Sequence, residues 1–112
     1  MKLSAREESQ VFVVSVEEAR IDAANCLQFK ENFRQLAPDD QGRIVLDLNG
    51  VDFVDSSGLG AIVGVMKLLA PQTRLELCNL GELVQKVFKL TRMDRVFVIH
   101  SELVDALDAP TY

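Results

Sequence analysis

Ile44-Val45-Leu46-Asp47-Leu48-Asn49-Gly50-Val51-Asp52-Phe53-Val54-Asp55-Ser56-Ser57-Gly58-Leu59-Gly60 reads as a strand, a turn, a short approach and the start of a helix. Ile44 to Leu48 is nearly all apolar, the pattern of an interior strand covered on both faces. Asn49-Gly50 is a turn. Val51 to Val54 is read first as an irregular lead into the next helix and second as the returning strand of a hairpin, since Asn-Gly favours tight hairpin turns. The helix is expected from about Ser57 to Leu69, with Pro71 stopping it.

The same alternation continues on both sides. Leu3 to Glu7 and Gln10 to Val16 have the composition of neighbouring strands joined by a short link, so an antiparallel pair is expected. Asp22 reads as the N-cap of a helix whose apolar stripe is Cys26, Phe29, Phe33 and Leu36. Pro38 and Asp39-Asp40-Gln41-Gly42 end that helix. Leu75 to Cys78 is a further strand, and Leu83, Val84, Val87 and Phe88 form the buried stripe of another helix. Val96 to Ile99 is a fifth strand, and Ser101 caps a last short helix. Strands alternating with helices of this length imply an α/β domain of crossover units, its sheet mixed through the first two strands.

The chain has 112 residues, enough for one domain, and is 48% hydrophobic, enough for a core without staples. Its two cysteines, Cys26 and Cys78, are expected as buried free thiols of a reducing compartment. Met1 to Glu8 lacks the apolar run of a signal peptide. The longest uncharged apolar stretch, Gly58 to Met66, is about half of what a membrane span needs. A cytoplasmic protein without direct membrane insertion is expected. A net charge of −5 argues against a nucleic-acid partner. Lys86, Lys89, Arg92 and Arg95 are expected on the solvated side of a helix and the loop after it.

The chemistry concentrates at Asp55-Ser56-Ser57-Gly58-Leu59-Gly60. One serine hydroxyl can cap the helix, leaving the other facing solvent. Gly58 and Gly60 remove side chains from the first turns, although each glycine costs about 1 kcal/mol of helix stability relative to alanine. An ordinary cap explains the serines equally well, and Gly60 with Gly64 can also serve to lay the helix close on the sheet. The segment is neither a Gly-x-Ser-x-Gly elbow nor a Walker A loop. The sole histidine, His100, falls at the end of the fifth strand, where a loop or cap role is expected. No cysteine–histidine cluster has metal-ligand spacing. Neither an enzyme nor a cofactor is expected.

Val45 to Leu48 and Val51 to Gly60 resemble the signature of the STAS domain, closest to the stand-alone bacterial anti-sigma factor antagonists. The resemblance extends to Arg20-Ile21-Asp22 and to Val84 through Ile99, so residues 1–112 are expected to form one STAS domain. Ala19 replaces the family's usual glycine, and no transporter or sensor domain follows before Tyr112. The resemblance implies a mixed sheet of about five strands flanked by about four helices. It implies that the unphosphorylated chain binds an anti-sigma factor that is also a serine kinase, freeing the sigma factor. Phosphorylation would fall on Ser56, with Ser57 the cap or a secondary site, and a metal-dependent serine phosphatase would reset the switch. ATP would belong to the kinase. The contact residues implied are Asp22, Asp55, Ser56, Ser57, Gly58, Leu59 and Gly60; for Asp22, a plain helix cap is the alternative. A second role found among small STAS proteins is as a subunit of a membrane lipid-transport ABC complex.

Overall fold

The computed structural model describes residues 1–38 and 42–110. β1 (Leu3–Glu8) and β2 (Val11–Val16) form an antiparallel hairpin with Leu3 opposite Val16 and Glu8 opposite Val11. Its two-residue turn places Ser9 and Gln10 at φ of 51° and 65°, the mirror-image geometry that suits the twist of the strands. Then come β3 (Arg20–Ile21), α1 (Cys26–Leu36), β4 (Arg43–Asp47), β5 (Phe53–Val54) and α2 (Ser56–Leu69). β6 (Arg74–Cys78), α3 (Glu82–Leu90), a 3₁₀ turn at Met93–Arg95, β7 (Val98–His100) and α4 (Leu103–Asp108) complete the order.

The main sheet runs β1-β2-β4-β6-β7, and all its strands from β2 onward are parallel. Parallel neighbours require crossovers. α1, α2 and α3 supply them, so each of these helices begins at the end of the sheet where the strands finish. Strand alternation divides the apolar residues between two cores. Val14, Ile44, Leu46 and Leu77 meet Phe29, Phe33, Ile62 and Phe88 under the three crossover helices. Val11, Val13, Val45 and Cys78 meet Ala106, Leu103 and Leu107 of α4 on the other face. The mixed five-stranded sheet with four helices is the architecture the sequence implied.

Several boundaries differ from the sequence reading. The residue before α1 is Asn25, not Asp22. Asp22 lies earlier, in a turn whose carbonyl accepts from the Asn25 and Cys26 amides. No hairpin follows Asn49-Gly50. Phe53 and Val54 instead pair in parallel with Arg20 and Ile21 in a separate two-stranded sheet. Leu36 and Leu83 are 39% and 61% exposed and so depart from their expected buried stripes. The fifth strand starts at Val98, since the 3₁₀ turn takes up Val96. Glu102, not Ser101, caps α4, through a reciprocal pair with Asp105. Cys78 is buried but Cys26 only half-buried, and both are free thiols. Burial, with the nearby Asp47 carboxylate adding to it, pushes the Cys78 thiol up to about 12. The expected breaker Asp39-Asp40-Gln41 and the terminal Tyr112 lie outside the described residues.

Under α4 the sheet contains an ionic cluster that sequence reading missed. Glu76 is 1% exposed and Arg43 3%. Arg43 forks onto the Glu76 carboxylate at 2.9 and 2.7 Å. It also donates to the Ala106 carbonyl at 2.7 Å, satisfying an acceptor in the last turn of α4. Arg74 and His100 contact the same carboxylate at 2.8 and 2.7 Å. His100 therefore closes the cluster and has no loop or cap role. Burial pushes the Glu76 carboxyl up, but the bonds from Arg43, His100 and Arg74 outweigh it and leave the group lowered to about 2.

Because the folded value lies below the unfolded one, this cluster's stabilisation is present above about pH 4.5 and is lost as pH falls towards about 2. Glu76→Gln removes the counter-ion of a buried guanidinium and should cost about 3–5 kcal/mol at pH 7 by urea unfolding. It should also flatten the acid dependence in that window. A variant that loses stability as steeply as the wild type between those pH values contradicts the assignment.

Candidate partner-docking site

The two serines occupy the first turn of α2, but neither caps it. Asp55 does: its Oδ1 accepts from the Gly58 amide at 2.8 Å. Its other oxygen, Oδ2, accepts from the Ala23 amide at 3.1 Å. One carboxylate thus closes the N-terminus of α2 and ties it to the loop that leads into α1. The expectation that Ser57 supplies the cap is corrected, because aspartate reaches the same amide from one residue before the helix. Ser56 and Ser57 are both exposed, and among the described residues neither hydroxyl has a hydrogen-bond partner.

The glycines divide in function. A Cβ on Gly58 would overlap the Ile21 carbonyl, so this glycine lets α2 lie directly against β3. Gly60 faces open space, and Gly64 lies under the Lys30 side chain of α1, so neither packs on the sheet. Gly58 and Leu59 are buried; of the expected contact residues they shape the surface from beneath. Ser56, Ser57 and Gly60 form its outer part, and Asp55 and Asp22 are half-buried at its margin.

Asp22 is held in place by Arg20, whose Nε donates to Oδ2 at 3.0 Å. That bond holds the Asp22 carboxyl below the usual carboxylate range. Pairing of β3 with β5 sets Arg20 beside Phe53, with the guanidinium 4.2 Å from the ring centroid, a cation–π contact. Phe53 is 36% exposed, and Leu27 and Leu83, in the first turns of α1 and α3, are 78% and 61% exposed. The crossover topology brings these three apolar side chains to the same end of the molecule as the serines. Sequence reading missed them, since Leu83 fits an amphipathic stripe; the one available signal was that Leu27 falls off the Cys26–Phe29–Phe33 stripe. Among the described residues no group of histidine, cysteine, aspartate and glutamate is arranged to hold a metal ion, and no helix is long and apolar enough to cross a membrane.

The fold is an open α/β sheet with an exposed serine pair in the first turn of a helix that Asp55 caps. Residues 2–106 match the STAS domain, and the chain belongs to that family. It is 30% identical over 80 residues to a Bordetella bronchiseptica protein named as an anti-sigma factor antagonist, BtrV, covering 70% of this chain and 69% of that one. The structure is similar to that of an anti-sigma factor antagonist from Mycobacterium paratuberculosis, with a TM-score of 0.83, 25% identity and coverage of 95% and 90% of the two chains. It also shares its fold with the anti-sigma factor antagonist SpoIIAA in its unphosphorylated form, with a TM-score of 0.71, 21% identity and coverage of 96% and 94%.

Gly58→Ala should destabilise the domain by about 1–3 kcal/mol, because the added methyl meets backbone. Gly60→Ala should be neutral or raise stability by up to about 1 kcal/mol. Asp55→Ala should cost about 1 kcal/mol for the cap alone. Thermal unfolding of the three variants orders them, and equal effects of the two glycine substitutions would refute the division of roles.

Proposed function

We propose that the chain is a cytoplasmic anti-sigma factor antagonist, a binding protein and not an enzyme, whose partner docks over the start of α2. The observation that carries this reading is the pair of exposed serine hydroxyls on a helix already capped by Asp55. Neither serine is needed to hold the fold, so one can be modified without unfolding it. The naming of BtrV and of the Mycobacterium paratuberculosis protein supports the class of partner. That partner is an anti-sigma factor with serine-kinase activity, and a metal-dependent phosphatase reverses its action. Ser56 is the phosphate acceptor, with Ser57 secondary.

The physical basis is local. Phosphorylation adds about −1.5 to −2 charges and three acceptor oxygens. In the free protein the first turn of α2 accommodates them, since a helix N-terminus favours negative charge. In the complex the same charge must be desolvated beside Asp55, against a surface that includes Leu27, Phe53 and Leu83. A hundredfold loss of affinity requires only about 2.7 kcal/mol. Gly60 leaves room for a partner's backbone to approach the second turn.

Incubation with the cognate kinase and ATP should place one phosphate on Ser56, read by mass spectrometry of the tryptic peptide. Ser56→Ala should abolish it, and Ser56→Asp should weaken partner binding at least about a hundredfold while leaving the thermal midpoint nearly unchanged. Phosphorylation of Ser56→Ala to the wild-type extent would show the acceptor to be another residue.

A further inference from the structure

α1, α2 and α3 each join two strands and lie over one face of the main sheet, where Phe29, Phe33, Ile62 and Phe88 are at most 1% exposed. On the other face, among the described residues, the apolar side chains that pack on the strands come from α4. That helix follows β7 and has six residues. Beneath it Val11 and Val13 of β2, Val45 of β4 and Cys78 of β6 are at most 3% exposed. α4 brings one buried side chain to them, Ala106, with Leu103 and Leu107 half-buried.

The ionic cluster divides along the same line. The fork of Arg43 onto Glu76, and the bonds of Arg74 and His100 to the same carboxylate, join β4, β6 and β7. They can survive the departure of α4. What leaves with the helix is the donation from Arg43 to the Ala106 carbonyl at 2.7 Å and to the Ala109 carbonyl at 3.4 Å. Water can replace those bonds on both sides, whereas breaking the Glu76 fork would strand a buried charge. Six residues are too few to stay helical unaided, and a region with few buried apolar groups opens at lower free energy than the whole domain.

We propose that α4 is a detachable cover: it leaves the sheet as a unit while the five strands and three crossover helices stay folded, uncovering an apolar face built by β2, β4 and β6. That face consists of Val11, Val13, Val45 and Cys78. The serine pair lies at the start of α2, across the sheet from α4. It keeps its geometry in both states, because the Asp55 bonds that set it run to Gly58 in α2 and to Ala23 in the loop before α1. The device is therefore independent of which serine accepts a phosphate.

Cys78 reports the opening. With α4 in place the thiol is buried and held up at about 12, and since the thiolate is the reactive form, it is shielded twice. The test treats the full chain with iodoacetamide at urea concentrations below the unfolding transition. Mass spectrometry of tryptic peptides 75–86 and 21–30 separates Cys78 from Cys26. The Cys78 rate should vary with urea much less steeply than global unfolding does, because the slope follows the surface exposed. Leu103→Ala should raise that rate about tenfold. Ile62→Val should lower the urea midpoint of the whole domain yet leave the Cys78 rate unchanged, since its contacts persist in the open form. A Cys78 rate with the full urea slope of unfolding would overturn the proposal without recourse to any variant. So would an Ile62→Val chain whose Cys78 reacts faster by as much as that of Leu103→Ala, since the face would then open only when the domain unfolds.

Discussion

The close approach of α2 to β3 at Gly58 is the contact on which the functional end of the molecule depends. With no side chain in the way, the first turn of the helix lies against the Ile21 carbonyl. Asp55 can then reach both the Gly58 amide and the Ala23 amide. That pair of bonds frees the serines from capping and fixes the loop bearing Asp22. The same approach lets Phe53 and Val54 pair with Arg20 and Ile21, which in turn places the Phe53 ring under the Arg20 guanidinium. Without it, the serine pair, the β3 loop and the aromatic side chain would have no common reference.

The two faces of the sheet are held by different physics. Under α1, α2 and α3 the core is apolar and follows from burial of aliphatic and phenyl groups. Under the short helix α4 the apolar cluster is small, and a carboxylate bonded by two guanidinium groups and a histidine lies beside it. Arg43 links that cluster to the last carbonyls of α4. A helix of six residues has little propensity to persist alone, so these bonds and the contacts of Ala106, Leu103 and Leu107 hold it. The proposed docking surface lies elsewhere, at the end where the crossover helices begin.

How much was legible in the residues varied with the kind of signal. Ile44 to Asp47, with apolar side chains on both faces, announced an interior strand, and the Phe29–Phe33 spacing announced the buried face of α1. Helix ends were read less well. Asp22 and Ser101 look like caps, but Asn25 and Glu102 stand at those positions, because the chain path into a helix depends on what it packs against. Leu83 belonged to a plausible stripe yet is largely exposed, because stripe membership follows from spacing while burial depends on what the helix packs against.

The amino-acid sequence by itself determined the alternation of strands and helices, the membership of a mixed α/β class, and the segment on which the proposed site is built. Those properties rest on local periodicity, turn residues and a short motif, all readable within a few residues of chain. Only the tertiary structure decided that Asp55 caps α2, that Gly58 is a packing glycine while Gly60 is open, and that Arg43, Glu76 and His100 form one buried cluster. The Gly58 contact and the buried cluster join residues from different elements, up to 57 positions apart from Arg43 to His100. A hydrogen bond or steric contact of that kind is set by strand order and register, which local sequence does not specify.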